Sequence, residues 1–334
     1  MEATVEVTEQ SQVAETRRVV AEVAKAGGMP EPDLARASLI ATELASNLVK
    51  YGKHGACAVS WFEEGGAAGL QIVASDYGPG IANFKESARD GHSTGGSLGI
   101  GLGAIMRAAD EFDHYSVEGA GAAFFARVSV GRVTPKAVPG RIVAGSRALP
   151  KPGQVICGDG WAFKKAGRWQ RVCVVDGLGH GPLAAAASAE ATKVFAACPE
   201  SDSPADILMK AHVALKSTRG AVMAVAAIDV ERGILSFSGI GNIAAVVLGG
   251  EKAQHLSSIE GVVGFNARGA RQHDYPWSPV STLVMNTDGL VSRWNLSKAP
   301  GLLAKHPALI AAALHRDFAR DTDDSTVVVA RALA

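Results

Sequence analysis

The sequence lacks the features of several protein classes. It has only four cysteines and no CxxC pair, so we expect reduced thiols and a cytoplasmic protein. Its 33 basic and 33 acidic residues cancel, and no basic stripe or polybasic segment indicates a nucleic-acid or membrane partner. The most alanine-rich stretch, 183–197, is interrupted by Ser188, Glu190 and Lys193 and cannot span a bilayer. The N-terminal residues are not typical of a signal peptide.

The chain is long enough for two domains of ordinary size, at 334 residues. Residues 131–139 carry two prolines and no clear period, so we predict a linker there, between domains at 1–130 and 140–334. In the first half, helices are predicted at 9–26, 31–50 and up to about 110, with strands near 3–7, 56–63, 69–76, 112–118 and 122–130. In the second half, helices are predicted at 181–197, 204–217 and 302–315, with strands near 141–147, 153–163, 170–176, 221–230, 233–239, 243–249, 281–287 and 325–331. Neither half alternates strand and helix strictly, which favours a layered α+β sandwich in each over a doubly wound sheet.

Two polar residues lie four apart on the predicted helix 31–50. Ile40, Leu44 and Leu48 form one face of this helix, and Glu43 and Asn47 are neighbours on another. A carboxylate beside a carboxamide can bind hydrated Mg²⁺ or orient a nucleophile. Taken alone, the pair is better explained as a solvated polar face of the helix.

Two glycine-rich segments follow in the same half. Asp76 ends an apolar run and is followed by Gly78 and Gly80, so its carboxylate can accept a hydrogen bond from a base while the bare backbone lets a ring approach. The segment 90–103 runs into a helix, and its backbone N–H groups can bind phosphate. Gly99 and Gly101 also match a loose dinucleotide motif, but a polar loop precedes them instead of the required strand.

Four aspartates in the second half each adjoin an apolar or β-branched run. They are Asp159, Asp176, Asp288 and Asp323. Strand ends bring distant carboxylates together, and such carboxylates repel one another unless a cation neutralises them. Oxygen ligands suit Mg²⁺ or Mn²⁺, so the pattern predicts a metal-dependent hydrolase.

The N-terminal motifs TELASN (42–47), DYGPG (76–80) and STGGSLGIGLG (93–103) resemble the N, G1 and G2 boxes of the GHKL (Bergerat) ATPase fold, an α/β sandwich. KYG (50–52), DGHSTGG (90–96) and DEF (110–112) make the segment most similar to RsbT-type switch kinases. The resemblance implies that Asn47 holds Mg²⁺, that Asp76 contacts adenine of ATP, and that Glu43 is the base toward a substrate hydroxyl. It also implies nucleotide binding by a set of glycines: Gly78, Gly80, Gly95, Gly96, Gly99, Gly101 and Gly103.

The C-terminal motifs GDGW, DGLGHG, NTDGL and DDSTVVV resemble those of SpoIIE-type PPM phosphatases. GIGN (239–242) and GVVG (261–264) make this half more similar to the RsbX-like branch. The resemblance implies a β-sandwich flanked by helices and a binuclear Mn²⁺ or Mg²⁺ centre. Asp176 would bridge the ions, the Gly177 carbonyl would help, and Asp159, Asp288 and Asp323 would complete the set. Asp324 is interpreted as an exposed or capping carboxylate, and His180 as either a proton donor or a structural residue.

Together the resemblances imply a bifunctional partner-switching regulator. The N-terminal domain would phosphorylate a STAS-domain partner on serine or threonine, and the C-terminal domain would dephosphorylate phosphoprotein forms of such partners. The alternative is a nucleotide-gated module that sequesters a partner and controls a catalytic phosphatase. Neither nucleic acid nor membrane is expected as a partner, and the pattern allows a homodimer.

Overall fold

The computed structural model describes residues 2–84, 101–133, 140–291, 294–296 and 299–332. They form two compact units, Met1–Val138 with Leu296–Arg316, and Pro139–Asn295 with Asp317–Ala334. In the described ranges, no helix is long and apolar enough to cross a membrane. The predicted linker at 131–139 stays a prediction, since 134–139 lie outside these ranges.

The first unit contains one antiparallel sheet and helices packed on it. Its strands are β1 (Glu2–Val7), β2 (Gly55–Glu64), β3 (Ala67–Asp76), β4 (Glu111–Ser116) and β5 (Ala122–Ser129), in the order β1-β2-β3-β5-β4. Its N-terminal helices are α1 (Gln10–Ala26), α2 (Glu31–Tyr51) and α3 (Gly101–Ala108). The buried positions of α2 recur every three or four residues, which produces one apolar face against the sheet.

The opposite face of this sheet packs against a segment that is distant in sequence. A 3₁₀ turn at Leu302–Ala304 is followed by helix α6 (Pro307–Phe318). Ala308, Leu309 and Ala312 of α6 share a buried cluster with sheet residues that include Val73 and Phe125. Covering both faces explains why every residue of β5, an inner strand of the sheet, is buried.

Polar contacts also hold this distant segment. Lys305 Nζ lies 3.0 Å from Asp113 Oδ1 on β4, and the His306 N–H donates to the other carboxylate oxygen at 2.9 Å. The His306 ring stacks on Phe125 with centroids 3.8 Å apart. Residues 302–306 are thereby fixed on the N-terminal sheet although they stand close to the C-terminal motifs in sequence.

The second unit is a sandwich of two five-stranded antiparallel sheets. One sheet has the order β13-β10-β9-β8-β7, and the other has the order β12-β11-β14-β15-β6. The strands are β6 (Ile142–Leu149), β7 (Asp159–Ala166), β8 (Trp169–Gly177), β9 (Ala221–Asp229), β10 (Ile234–Ile240), β11 (Ala244–Leu248), β12 (Gln254–His255), β13 (His273–Pro276), β14 (Thr282–Asn286) and β15 (Ser325–Ala332). Apolar side chains from both sheets fill the space between them.

Two helices cover the outer face of the β8–β9 sheet. They are α4 (Pro182–Ala197) and α5 (Pro204–Ala214), the latter extended by a 3₁₀ turn at Leu215–Ser217. Phe195 and Leu208 from these helices are fully buried with Val175 and Val225 of the sheet. Each half thus has the layered α+β architecture predicted for it.

Most predicted elements occur within a few residues of their expected bounds, with three differences. The strand expected at 153–163 begins only at Asp159. The last helix runs from Pro307 to Phe318 instead of 302–315. The short edge strands β12 and β13 were not predicted, because residues 254–255 and 273–276 are too short and polar to show alternation.

Candidate functional site

The N-terminal site is built first on helix α2. Glu43 and Asn47 are half-buried and stand one turn apart. The beginning of α3 lies directly against them: a Cβ placed on Gly101 would be 2.9 Å from Glu43 Oε2 and 3.8 Å from the Asn47 amide. The structure therefore brings together the two candidate residues of α2 and the end of the glycine-rich segment.

Asp76 lies at the end of β3 and begins a tight turn. It is buried, and its Oδ1 accepts a hydrogen bond from the Gly78 N–H at 2.6 Å. Burial raises the pKa of this carboxyl, against the lowering effects of the Gly78 hydrogen bond and the Arg316 charge. Gly80 has a φ of +72°, and a Cβ there would meet the Val117 carbonyl oxygen at 2.3 Å, so the turn requires glycine.

The end of α6 lies at the same turn. Arg316 Nη1 donates to the Asp76 carbonyl oxygen at 3.0 Å, and the Tyr77 hydroxyl donates to the Arg316 carbonyl oxygen. A Cβ on Gly121 would be 2.9 Å from the same guanidinium nitrogen. Sequence reasoning did not associate Arg316 with this turn, and no local pattern could have done so, because Tyr77 and Arg316 are 239 residues apart in sequence.

The glycine-rich segment is described only in part. The predicted nucleotide-binding residues Gly95, Gly96 and Gly99 lie outside the described residues. Gly101 and Gly103 lie in α3, where Gly103 is buried. The assignment of all these glycines to ATP binding stays a prediction.

The C-terminal site starts from a β-hairpin. Asp159 begins β7 and Asp176 is the second-last residue of β8, and the two residues are directly opposite each other in the ladder. Gly177 follows, with its N–H donating to the Gly158 carbonyl at 3.3 Å. A Cβ on Gly177 would lie 2.2 Å from the Ala184 carbonyl oxygen, so helix α4 can approach this closely only because residue 177 is glycine.

Two further strand ends bring the remaining aspartates to this end of the sandwich. Asp288 follows β14, is exposed, and accepts a hydrogen bond from the Asn242 amide at 2.8 Å. Thr287 links Asp159 to strand β15, because its hydroxyl donates to Asp159 Oδ2 at 2.8 Å and accepts from the Thr326 N–H at 2.9 Å. Asp323 lies just before β15 and is half-buried.

Asp324 has a structural role that its sequence position did not disclose. It is buried, and its two oxygens accept hydrogen bonds from the Lys151 N–H at 2.8 Å and the Gly158 N–H at 2.9 Å. The expectation of an exposed side chain was therefore wrong, whereas the capping interpretation agrees with these bonds. His180 is exposed in the 178–181 loop, with no hydrogen-bond partner in the described part of the chain.

The electrostatics of this centre favour a bound cation. Burial and then the charges of neighbouring aspartates raise the pKa of Asp176 to about 8. Burial is also the largest cause that raises the pKa of Asp159 to about 7, although its threonine hydrogen bonds oppose the change. Carboxylates that repel one another in this way ionise readily only when a positive charge is added.

The donor set fits hard divalent ions. All predicted ligands are oxygen atoms, which Mg²⁺ and Mn²⁺ prefer. Within the described ranges no three acidic, histidine or cysteine side chains already surround one point. Mg²⁺ keeps several waters and is usually held by one or two carboxylates, so such a cage is not required.

Cys157 is no rival nucleophile, because burial and the Asp159 charge raise the pKa of its thiol to about 12.

Family models match both halves of the chain. A model described as stage II sporulation protein E (SpoIIE) matches residues 166–333. A model described as a histidine kinase-like ATPase domain matches residues 7–123. Both matches agree with the resemblances drawn from the motifs.

Two curated relatives from Bacillus subtilis (strain 168) match different parts of the chain. The serine/threonine-protein kinase RsbT is 38% identical over 109 residues, covering 33% of this chain and 82% of RsbT. The phosphoserine phosphatase RsbX is 31% identical over 145 residues, covering 42% of this chain and 71% of RsbX.

A solved structure supports the fold class. The phosphatase domain of B. subtilis SpoIIE with a fragment of its regulatory domain aligns at a TM-score of 0.50 and 18% identity, over 97% of this chain and 98% of that one. With the two family models, this match confirms the predicted combination of a GHKL-type sandwich and a PPM-type sandwich.

Proposed function

We propose that this chain, which belongs to the RsbT-type protein kinases over its N-terminal part and to the SpoIIE family over its C-terminal half, controls a STAS-domain partner by adding and removing phosphate. The chain joins a serine/threonine kinase domain to a phosphatase domain of the metal-dependent PPM class. The observation that supports the proposal most directly is the approach of Gly101 to Glu43 and Asn47 in the first unit, matched in the second by Asp159 standing opposite Asp176.

In the kinase domain, Asp76 would accept a hydrogen bond from the adenine amino group, and Gly78 and Gly80 would let the ring approach. Asn47 would hold the Mg²⁺ that accompanies ATP, which neutralises phosphate charge. Glu43 would accept the proton of the partner's serine or threonine hydroxyl as that oxygen attacks the γ-phosphoryl group. The proximity of Gly101 to both Glu43 and Asn47 supports a phosphate position between α2 and α3.

A single substitution separates this kinase from a nucleotide-gated binding module. Glu43→Ala should abolish phosphate transfer to a STAS-domain protein while ATP affinity is kept, because Glu43 acts on the hydroxyl and not on the nucleotide. Glu31→Ala, an exposed carboxylate at the other end of the same helix, serves as the matched control. Undiminished control of the partner by Glu43→Ala would favour the binding-module alternative.

In the phosphatase domain, Asp159, Asp176, Asp288, Asp323 and the Gly177 carbonyl would hold Mg²⁺ or Mn²⁺. Bound, these ions would supply a water that ionises near neutral pH and would balance the charge of the phosphoryl group. The chain's own contribution is to position the carboxylates: Thr287 orients Asp159, and Asn242 orients Asp288. The buried Asp324 fixes the loop before Asp159 through the Gly158 N–H.

The phosphatase assignment is tested by Asp176→Asn. This change removes the central charge of the site and should lower Mn²⁺-dependent hydrolysis of phosphoserine protein by at least about a thousandfold, since such ions provide several kcal/mol of transition-state stabilisation. Glu231→Gln, in the turn between β9 and β10 at the other end of the sheet, is the control. Equal residual activity in both variants would contradict the metal mechanism.

The two activities need separate targets or alternate inhibition. If both acted continuously on one site, the chain would only hydrolyse ATP. We therefore expect phosphate to be added and removed at different sites or at different times, within the cytoplasm, where ATP is available. Following each phosphosite on the STAS-domain protein during incubation with ATP tests this, and steady ATP turnover through a single site would contradict it. A homodimer stays a prediction.

A further inference from the structure

We propose that the end of the second unit that carries the aspartates is a docking surface for the phosphorylated protein. Arg219 would hold the phosphoryl oxygens, and a set of exposed apolar side chains would pack against the protein surface around the phosphate. The inference rests on the proposed phosphatase function and gives that site its specificity. We call the apolar set the rim. Its members are Val155, Ile156, Leu178, Leu183 and Phe265.

Arg219 lies beside the loop that follows the central aspartate. In the ladder of β8 and β9, Asp176 is opposite Val222 and Gly177 is opposite Ala221, so the chain that precedes β9 runs alongside the loop 178–181. The Leu178 N–H donates to the Gly220 carbonyl at 3.1 Å and fixes the two segments together. A Cβ on Gly179 would be 3.1 Å from Arg219 Nη1, which places the guanidinium over this loop.

The guanidinium of Arg219 is available to a ligand. The side chain is exposed, and within the described ranges it has neither an ion pair nor a hydrogen bond. Other arginines of this unit are occupied: Arg168 pairs with Asp229 at 3.1 Å, and Arg171 donates to three backbone carbonyls. A planar guanidinium next to a cation-binding carboxylate centre is suited to a doubly charged phosphoryl group, which it can bind through two parallel hydrogen bonds.

The rim residues lie in the loops and in the first turn of α4 at this same end of the sandwich. Val155 and Ile156 precede Cys157 in the segment leading to β7, and Leu178 and Leu183 flank the aspartate loop at the start of α4. Phe265 follows Val263, which is bridged to Ala221 at the beginning of β9. The five side chains are between 40% and 95% exposed. Large apolar side chains concentrated around one site mark a protein-binding surface more often than scattered ones do.

The occupant is the surface of a folded protein around its phosphoserine or phosphothreonine. A substrate that reaches the aspartates with its phosphate must contact the loops that carry the rim, so the surface is continuous with the catalytic centre. The positive charge of Arg219 complements the phosphate, and the apolar rim complements an uncharged surface around it. A small phosphate ester or a free phosphate would reach Arg219 without covering the rim.

Three variants of the full chain separate these contributions. The substrates are p-nitrophenyl phosphate and a serine-phosphorylated STAS-domain protein, with kcat and KM measured for each and the dissociation constant of the phosphoprotein measured by fluorescence anisotropy. Arg219→Ala should lower kcat/KM at least about tenfold for both substrates, because a charge-assisted hydrogen bond is lost in each. Arg219→Lys should recover part of this, since the charge is restored without the planar fork.

Leu183→Ser should act on the protein substrate alone. It should raise KM and the dissociation constant for the phosphoprotein about fivefold or more, because an apolar contact is lost, and leave p-nitrophenyl phosphate hydrolysis unchanged. The control is Val280→Ser, since Val280 is 62% exposed, against 57% for Leu183, but precedes β14 at the opposite end of the sheet. Lys252→Ala, in the loop between β11 and β12, is the charge control for Arg219.

The outcomes distinguish this inference from the proposed function. The docking surface is overturned, and the phosphatase assignment stands, if Arg219→Ala leaves the hydrolysis of both substrates unchanged. The same conclusion follows if Leu183→Ser and Val280→Ser give equal KM values for the phosphoprotein. If neither the wild type nor any variant hydrolyses either substrate, the proposed function fails. The dissociation constants then test the docking surface independently of catalysis, because the docking surface requires that Arg219→Ala and Leu183→Ser both bind the phosphoprotein more weakly than the wild type.

Discussion

Metal binding by the second unit should depend steeply on pH. Asp159 and Asp176 have folded pKa values of about 7 and about 8, both above the ordinary value of 3.8, because burial and neighbouring carboxylates disfavour their ionised forms. In the folded protein without a divalent ion, these groups therefore keep their protons at pH values at which the unfolded chain has lost them. Their contribution to stability is complete below about pH 4 and is lost as the pH rises through 7 to 8.

The size of this effect follows from the same pKa values. For Asp176, the difference between about 8 and 3.8 corresponds to about 6 kcal/mol at ~1.4 kcal/mol per tenfold change in proton affinity. This is an upper bound, because water can enter the site and the carboxylates can move apart. A divalent ion displaces these protons when it binds, so the apparent affinity of the site for the ion should rise with pH between pH 6 and 8. For each proton displaced, the rise is at most about tenfold per pH unit.

Thermal unfolding and calorimetric Mn²⁺ titration at pH 6, 7 and 8 measure both effects. We expect the unfolding midpoint in a chelator to fall as the pH rises, and the stabilisation by Mn²⁺ to grow. Asp176→Asn should flatten both trends, because the amide does not titrate. A Mn²⁺ affinity that is constant over this range, or a chelated protein that becomes more stable toward pH 8, would refute the electrostatic reasoning.

Two further predictions concern packing. Leu309→Ala should destabilise the first unit by about 3 kcal/mol, because Leu309 is fully buried in the cluster beneath the N-terminal sheet, whereas Leu309→Met should cost less than about 1.5 kcal/mol. Denaturant unfolding measures both free energies, and equal destabilisation by the two variants would contradict the prediction. Gly177→Ala should abolish phosphatase activity while ATP binding is kept, since the added Cβ would meet the Ala184 carbonyl at 2.2 Å; full phosphatase activity in a titration with Mn²⁺ would contradict this account.

The candidate sites could be predicted largely from local sequence. Asp159 and Asp176 each adjoin an apolar run, and the hairpin that joins these runs places them opposite each other in the ladder. Glu43 and Asn47 are one helical turn apart wherever the helix lies. Such relations follow from the period of a strand or a helix, so no tertiary information is needed to find them.

Other features depend on tertiary contacts that leave no local pattern. The apolar face of Pro307–Phe318 predicts a helix but not the sheet on which it packs, and nothing near Arg316 in sequence indicates the turn at Asp76. Asp323 and Asp324 are adjacent and stand just before β15, and their sequence positions do not reveal which one accepts the Lys151 and Gly158 N–H groups. Arg219 was missed for the same reason, because its relation to the aspartate loop arises only through the pairing of β8 with β9.

The central claim is that one chain both adds and removes protein phosphate, and a single labelling experiment tests it directly. The wild-type chain, Glu43→Ala and Asp176→Asn are each incubated with γ-labelled ATP, Mg²⁺, Mn²⁺ and a STAS-domain protein, and labelled protein and free phosphate are followed over time. We expect stable label with Asp176→Asn, transient label followed by phosphate release with the wild type, and no label with Glu43→Ala. Absence of label with Asp176→Asn, or equal phosphate release from the labelled protein by Asp176→Asn and the wild type, would contradict the account.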